Sequence, residues 1–565
     1  MFRKLQATVV SSVSRNCKRW KSHKSKGHKK EPPCCCEEDR KKEVVYDCST
    51  YNYERGICGE DPCDSLACYP EPRVVIIGAG MAGLAAAARL SQRGINNLVI
   101  LEANERPGGR IHSCWLGDIV AELGSHWRPD NTTVNPIYQI TAMDTPPRPG
   151  TPGAANPHGL FNRVAAQENM PYPTAVTSYC KYKQIEEEAA RIFCYGGYKQ
   201  HGSMLNFMSL RIQQELHSFP EEQQHDAARI MYGLSHMVNS RSGDDTAMLC
   251  ADSSGCFMNM PGGEVRIPLG LVGVLAPLLR QVPIGAIRYC KPVTCIYWGT
   301  SQSCGYRAKV YAADGEEFPA DYVIVTPSIG VLNLNAAKMF CPELPASKLD
   351  AIRCLGYGHA NKIYLEYCRP YWVWHYGNLN FQFPNGLPKR VDWTRGVTAI
   401  EVVPNSKHVL CVWVVGPDAH AMECLSDKDV AENLTCLLRD LTCNMHIPYP
   451  QTVLKSQWTS DPYFCGAYSY CCCTDGSLQR NMACPLPGPT EPSPPILLFA
   501  GEATVPGHFA TVAGARLSGI REAERIVQLT ITFKGPPLPQ PDCCEVNMQK
   551  SKEVCDDHYR KAVTC

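Results

Sequence analysis

At 565 residues the chain exceeds what one hydrophobic core serves, so two interleaved domains are expected rather than one. Its 44% hydrophobic and 20% charged content is that of an ordinary globular protein. A formal net charge of +1 gives no global pull toward nucleic acid or an anionic membrane, and neither is expected as a partner. The first thirty residues are the exception, carrying Lys and Arg but no acid.

That basic stretch lacks the continuous apolar run of a secretory signal. It reads as the solvated arm of a cytoplasmic protein. The alternative is a mitochondrial presequence, with Phe2, Leu5, Val9 and Val13 on one face of a short helix. Residues 1–70 together read as a basic, Cys-rich leader without sustained periodicity. The 32 cysteines are expected as reduced thiols. Cys58, Cys63 and Cys68 have no CxxC spacing, so no metal is expected.

Arg73-Val74-Val75-Ile76-Ile77 is a β-branched run with no polar alternation, which suits a strand buried on both faces. It leads into Gly78-Ala79-Gly80-Met81-Ala82-Gly83 and then a helix from Leu84 to Arg93. A second buried strand, Leu98 to Leu101, ends in Glu102, about 20 residues beyond the last glycine. Strand, glycine turn, helix and late acid together form the dinucleotide-binding fingerprint. Gly78 makes the turn, Gly80 admits a pyrophosphate and Gly83 lets helix and strand pack closely. Glu102 would accept hydrogen bonds from the adenosine ribose. The apolar run through Ala88 is shorter than the ~18 residues a spanning helix needs, so no membrane span is expected.

The segment after Glu102 separates NAD from FAD. Gly108-Gly109-Arg110 places a second glycine pair and a guanidinium just past the ribose acid, where Arg110 can meet the pyrophosphate or the flavin end. A simple NAD domain has no use for that extension. Residues from about Thr174 to Met237 carry helical spacing. Strands are expected at Ala308 to Ala312, Tyr322 to Thr326 and His408 to Val415, and a helix capped by Ser426 to about Leu441. The fold class is α/β: a Rossmann-type FAD-binding domain from residues 71–170, 255–335 and 450–530, and a mixed α+β substrate domain from 171–254 and 336–449. Residues 531–565 read as a polar tail.

With these motifs in place, the stretch from about Arg73 to Val527 resembles the flavin-containing amine oxidase family, and within it the animal polyamine oxidases. The family's Glu-Leu-Gly-x-x-Trp run matches Glu122-Leu123-Gly124-Ser125-His126-Trp127, its adenine-side valine matches Val293, and Val325 to Gly330 matches a further motif. Its second flavin motif matches Phe499 to Thr504 and Gly514 to Ala523. The resemblance implies that Gly124, Ser125, Val293, Trp458, Glu502, Thr511 and Val512 join Gly78, Ala79, Gly80, Gly83, Glu102 and Arg110 around FAD. Lys362, in Leu355 to Tyr367, resembles the lysine that holds a water at the flavin. His126, Trp127 and Tyr468 would face substrate. Ala467 stands where monoamine oxidases carry a flavin-bonded cysteine, so FAD is expected non-covalently; Cys465 is the alternative attachment point. The implied reaction oxidises a polyamine, spermine, spermidine or an acetylated form, to an aldehyde and a shorter amine while O2 becomes H2O2.

Three positions depart from the family. Pro129 stands where the polyamine oxidases carry a substrate-side histidine, and Val505 and Ala513 each replace a histidine near the second flavin motif. The cofactor-binding positions match while the substrate positions differ. Changed specificity or reduced rate is the expected consequence, with a catalytically impaired flavin-binding scaffold as the alternative. Oligomeric state is left open.

Overall fold

The computed structural model describes residue 66 and residues 69–125, 172–194, 202–258, 270–299, 305–372, 378–379, 392–403, 406–442, 444–471, 477–487 and 493–537. Most of the expected leader and of the polar tail, with His126, Trp127 and Pro129, lies outside them.

Five parallel strands form the first sheet, in the order Leu497–Phe499, Tyr322–Val325, Val74–Ile77, Leu98–Leu101 and Ile287–Arg288. Its central strand is buried at every residue because both faces are covered. Val74 and Ile76 pack against the helices Met81–Gln92 and Val512–Phe533. Val75 and Ile77 pack against a second sheet built on Val293–Trp298, Ala308–Ala312 and Glu317–Ala320. The alternation of side chains along one strand thus divides two cores. The two helices approach so closely that a Cβ on Gly519 would overlap the Ala82 carbonyl. An early and a late segment of the chain are thereby neighbours across this interface.

A five-stranded antiparallel sheet forms the other body: Asn378–Leu379, Val397–Val402, Val409–Val415, Ala360–Glu366 and Thr452–Lys455. One face, with Ile363, Leu365, Val412 and Val414, is covered by the helix Asp427–Thr442. That helix starts where the Ser426 hydroxyl accepts from Asp429 N at 3.2 Å. The other face, with Ala360, Tyr364, Cys411 and Val415, meets Leu116 and Ala121 from the hairpin Ser113–Glu122 and Leu123 just after it, together with Trp458. Three helices, Tyr172–Cys194, Met204–Leu216 and Glu221–Ser242, enclose a separate core around Tyr182, Ile212 and Met231. Among the described residues no helix is long and apolar enough to cross a membrane.

Residues 336–449 do not pack as one segment. Phe340–Cys341 pairs with Val293–Trp298, and Thr452–Lys455 completes the antiparallel sheet beside Ala360–Glu366. Hydrogen bonding of strand edges sets these junctions, and it leaves little trace in local composition.

Candidate active site

The glycine turn sits at the carboxyl end of the central parallel strand. Gly78 has φ +101°, a left-handed value that an L side chain resists, and its N–H donates to Leu101 O at 2.8 Å. The helix begins at Met81, earlier than the Leu84 expected from sequence, with Gly80 as its cap. The fingerprint's last glycine is therefore already inside the first turn, where a Cβ on Gly83 would overlap the Gly78 carbonyl. Gly80 is the opposite case: a Cβ there would meet nothing within 4 Å. That open wall, beside the unpaired N–H groups of a helix start, has the shape and polarity to receive phosphate.

Glu102 is buried, its carboxylate accepting from Ala79 N at 2.7 Å and Asn104 N at 2.8 Å. Lys291 N donates to Glu102 O at 2.8 Å, which brings Val293 alongside. Arg110 donates to Ala467 O at 2.8 Å and Glu502 Oε1 at 2.9 Å. Glu502 also accepts from Ser469 Oγ at 2.5 Å and Ala510 N at 2.7 Å. Protein donors thus take up the Glu502 carboxylate, which ties the 110, 469 and 502 segments together. Thr511 caps the late glycine helix, accepting from Gly514 N at 2.9 Å, and Val512 is that helix's first residue. Arg110, Ser328, Gly501 and Thr504 line one cleft where these segments converge.

Lys362 lies on the face of its strand that alternation turns toward Leu123 and Trp458. It is 3% exposed, and the strand is paired on both edges. Its Nζ donates to Glu122 O at 2.9 Å and Gly124 O at 2.7 Å, and lies 4.6 Å from the Trp413 ring centre. Trp458 Nε1 donates to the intervening Leu123 O at 3.0 Å, and Tyr364 Oη donates to Glu122 O at 2.9 Å. Three successive carbonyls are thus gripped by side chains from elsewhere in the chain. A Cβ on Gly124 would overlap the Arg110 carbonyl, and Ser125 N donates to that same carbonyl at 2.9 Å. Burial lowers the Lys362 pKa from its ordinary value, opposed by Cys411, Glu122 and Glu401. The result is an amine able to exchange a proton below the usual lysine range.

The aromatic residues divide. Tyr468 Oη donates to Ser240 O at 2.5 Å, so its hydroxyl braces the Glu221–Ser242 helix while its ring remains half-buried. Tyr470 Oη likewise donates to Asp244 Oδ2 at 3.0 Å. The Cys465 thiol donates to Pro462 O at 3.3 Å. No motif in the sequence marks Tyr364 or Trp413 as members of this site. The alternating buried face of Ala360 to Glu366 is the one signal that could have found Tyr364.

His112 stands edge-on to Trp458, ring centroids 6.4 Å apart. Burial, assisted by Arg106, lowers its pKa from 6.5 to about 4. Between those values the unfolded chain binds a proton that the folded chain does not. The stability this group contributes is therefore complete above pH 6.5 and is lost as pH falls toward about 4. His112→Gln should show a smaller drop in melting temperature across that window than the parent. An equal drop in both would refute the assignment.

The open wall at Gly80, the buried acid at the next strand end and the capped late helix fit a dinucleotide. With a buried lysine beside the same segments, the fold and site define a dinucleotide-dependent oxidoreductase. The chain belongs to the flavin containing amine oxidoreductase family, whose model matches residues 81–527. FAD is its cofactor. It is 32% identical over 520 residues to the peroxisomal N(1)-acetyl-spermine/spermidine oxidase of Homo sapiens, covering 83% of this chain and 97% of that protein. It is 30% identical to polyamine oxidase 1 of Oryza sativa subsp. japonica, covering 81% and 97%. A solved structure of wild-type putrescine oxidase bound to putrescine shares the fold, with TM-score 0.56, 17% identity and coverage of 81% and 99%.

Proposed function

We propose that this protein oxidises a polyamine, spermine, spermidine or an acetylated form, at a secondary amine. The balanced reaction takes the amine, O2 and water to an aldehyde, a shorter amine and H2O2. The feature that supports this most directly is Lys362, buried and fixed by two carbonyls of the segment that follows Arg110 and would flank the cofactor. Bound there, FAD supplies the two-electron acceptor that converts the amine's C–N bond to an imine and returns the electrons to O2.

The chain's residues supply the remainder. Gly80 and the first turn of Met81–Gln92 would receive the pyrophosphate, Glu102 the ribose, and Arg110 with the Gly501 loop the flavin side. Lys362 would hold or pass a proton at Nζ, orienting the water that attacks the imine. A substrate amine is mostly cationic in water, and the apolar surround of Ala467, Trp458 and Phe464 disfavours that charge, so the neutral, reactive form is selected.

Purified holoprotein should release peroxide with at least one of spermine, spermidine, N1-acetylspermine and N1-acetylspermidine, and the aldehyde formed identifies the bond broken. With Pro129, Val505 and Ala513 departing from the family, the expected rate is lower or the preferred amine different. A yellow protein whose visible band fails to bleach anaerobically with any of these amines defeats the proposal.

A further inference from the structure

Behind the grip on residues 122–124 lies a second polar network that the reaction itself does not use. Glu423 ends the helix Pro417–Glu423 with its side chain wholly out of solvent. Its carboxylate accepts from Thr459 N at 2.9 Å, Ser460 N at 2.6 Å and Asn361 Nδ2 at 2.5 Å, with His420 Nδ1 3.9 Å away. Two backbone N–H groups and one amide thus satisfy a buried anion, which otherwise carries a large desolvation penalty.

Asn361 relays that anchor. Its Oδ1 accepts from Ser456 Oγ at 2.9 Å and Trp458 N at 3.2 Å, and Ser456 Oγ in turn accepts from Lys362 N at 2.9 Å. Glu423 also fixes Thr459 and Ser460, the two residues immediately after Trp458. The backbones of Lys362 and Trp458, whose side chains hold the carbonyls of Glu122, Leu123 and Gly124, are therefore located by one remote carboxylate.

We infer that Glu423 is a positioning residue, acting through Asn361 and Ser456 to set the register of Lys362 and Trp458 against the flavin-side segment. This rests on the reading of Lys362 as the site lysine. Solvent-exposed helix ends have no need of a fully buried acid. Here the acid sits where a strand, a turn and a helix must meet in one arrangement, and a partly satisfied network would let the turn slide. Thr459 N and Asn361 Nδ2 share one carboxylate oxygen and Ser460 N takes the other, so in Glu423→Gln the NH2 group must oppose at least one of these donors.

The test uses FAD-loaded protein with two readouts: the visible circular dichroism of the bound flavin, measured without substrate, and steady-state turnover with the best amine. Glu423→Gln is expected to change the flavin dichroism and to lower kcat about tenfold with KM little altered, as a small misplacement of the clamp requires. Ser456→Ala, a milder cut in the same relay that keeps Glu423 paired, should shift the dichroism in the same direction. It is the variant to read if Glu423→Gln fails to fold. Parent-like dichroism in both Glu423→Gln and Ser456→Ala overturns the inference. Because the dichroism is read without substrate, a parent protein silent on every amine removes the proposed function and leaves this test intact.

Discussion

Lys362→Met is expected to oxidise its best amine about 100- to 1,000-fold more slowly than the parent while still binding FAD, the range set by loss of one positioned proton-transfer group. Methionine keeps the length and apolar stem, so the strand packing of Ala360–Glu366 should survive. What disappears is the donor to Glu122 O and Gly124 O and, on the proposed reading, the group that exchanges a proton at the cofactor. Glu122 O keeps Tyr364 Oη as a partner, so the local structural cost falls chiefly on Gly124 O, about 1–3 kcal/mol for one orphaned buried carbonyl. Burial lowers the lysine pKa, so the parent's rate should rise with pH through a midpoint below the ordinary lysine value. The variant should lack that limb. Stopped-flow measurement of flavin reduction and reoxidation across pH checks both points, and a variant with the parent's rate and pH profile would show that Lys362 takes no part.

Gly80→Leu should lower FAD affinity more than 100-fold and leave a folded, colourless protein. Gly80 has φ −73° and ψ 179°, values open to any L residue, and a Cβ there meets no atom of the protein. The cost to the fold is that of a poorer helix cap, about 1 kcal/mol. The leucine instead fills the approach by which a pyrophosphate reaches the helix N-terminus. Gly83→Leu is the contrasting control, because its Cβ collides with the Gly78 carbonyl and the helix cannot seat against the strand. Flavin absorbance per mole of protein and thermal melts separate the two outcomes. Retention of parent-level flavin by Gly80→Leu would remove Gly80 from the cofactor site.

Much of the parallel sheet was legible from short runs of residues. Val74–Ile77 and Leu98–Leu101 appear with their expected limits or within one residue, because strands buried on both faces need unbroken apolar runs. Tyr322–Val325 and Val409–Val415 were likewise visible, each being β-rich and closed by a nearby proline or glycine. The helix start was misplaced because the glycines of a phosphate turn have low helix propensity and still occupy its first turn. The partners of the Glu502 carboxylate were not legible for a different reason: its donors, on Arg110, Ser469 and Ala510, are set by assembly of distant segments.

By itself the chain determined a glycine turn of dinucleotide-binding form, the strands that present it and a lysine on a β-run, since these depend on residues a few positions apart whose backbone and burial preferences are local. Only the tertiary structure decided that Lys362, Tyr364 and Trp458 grip three successive carbonyls, and that Glu423 stands behind them. The bonds to the three carbonyls join residues separated by 238 and more positions, and a buried carbonyl accepts from whichever donor the packed sheets bring within reach, a choice made by packing geometry with no local sequence signature.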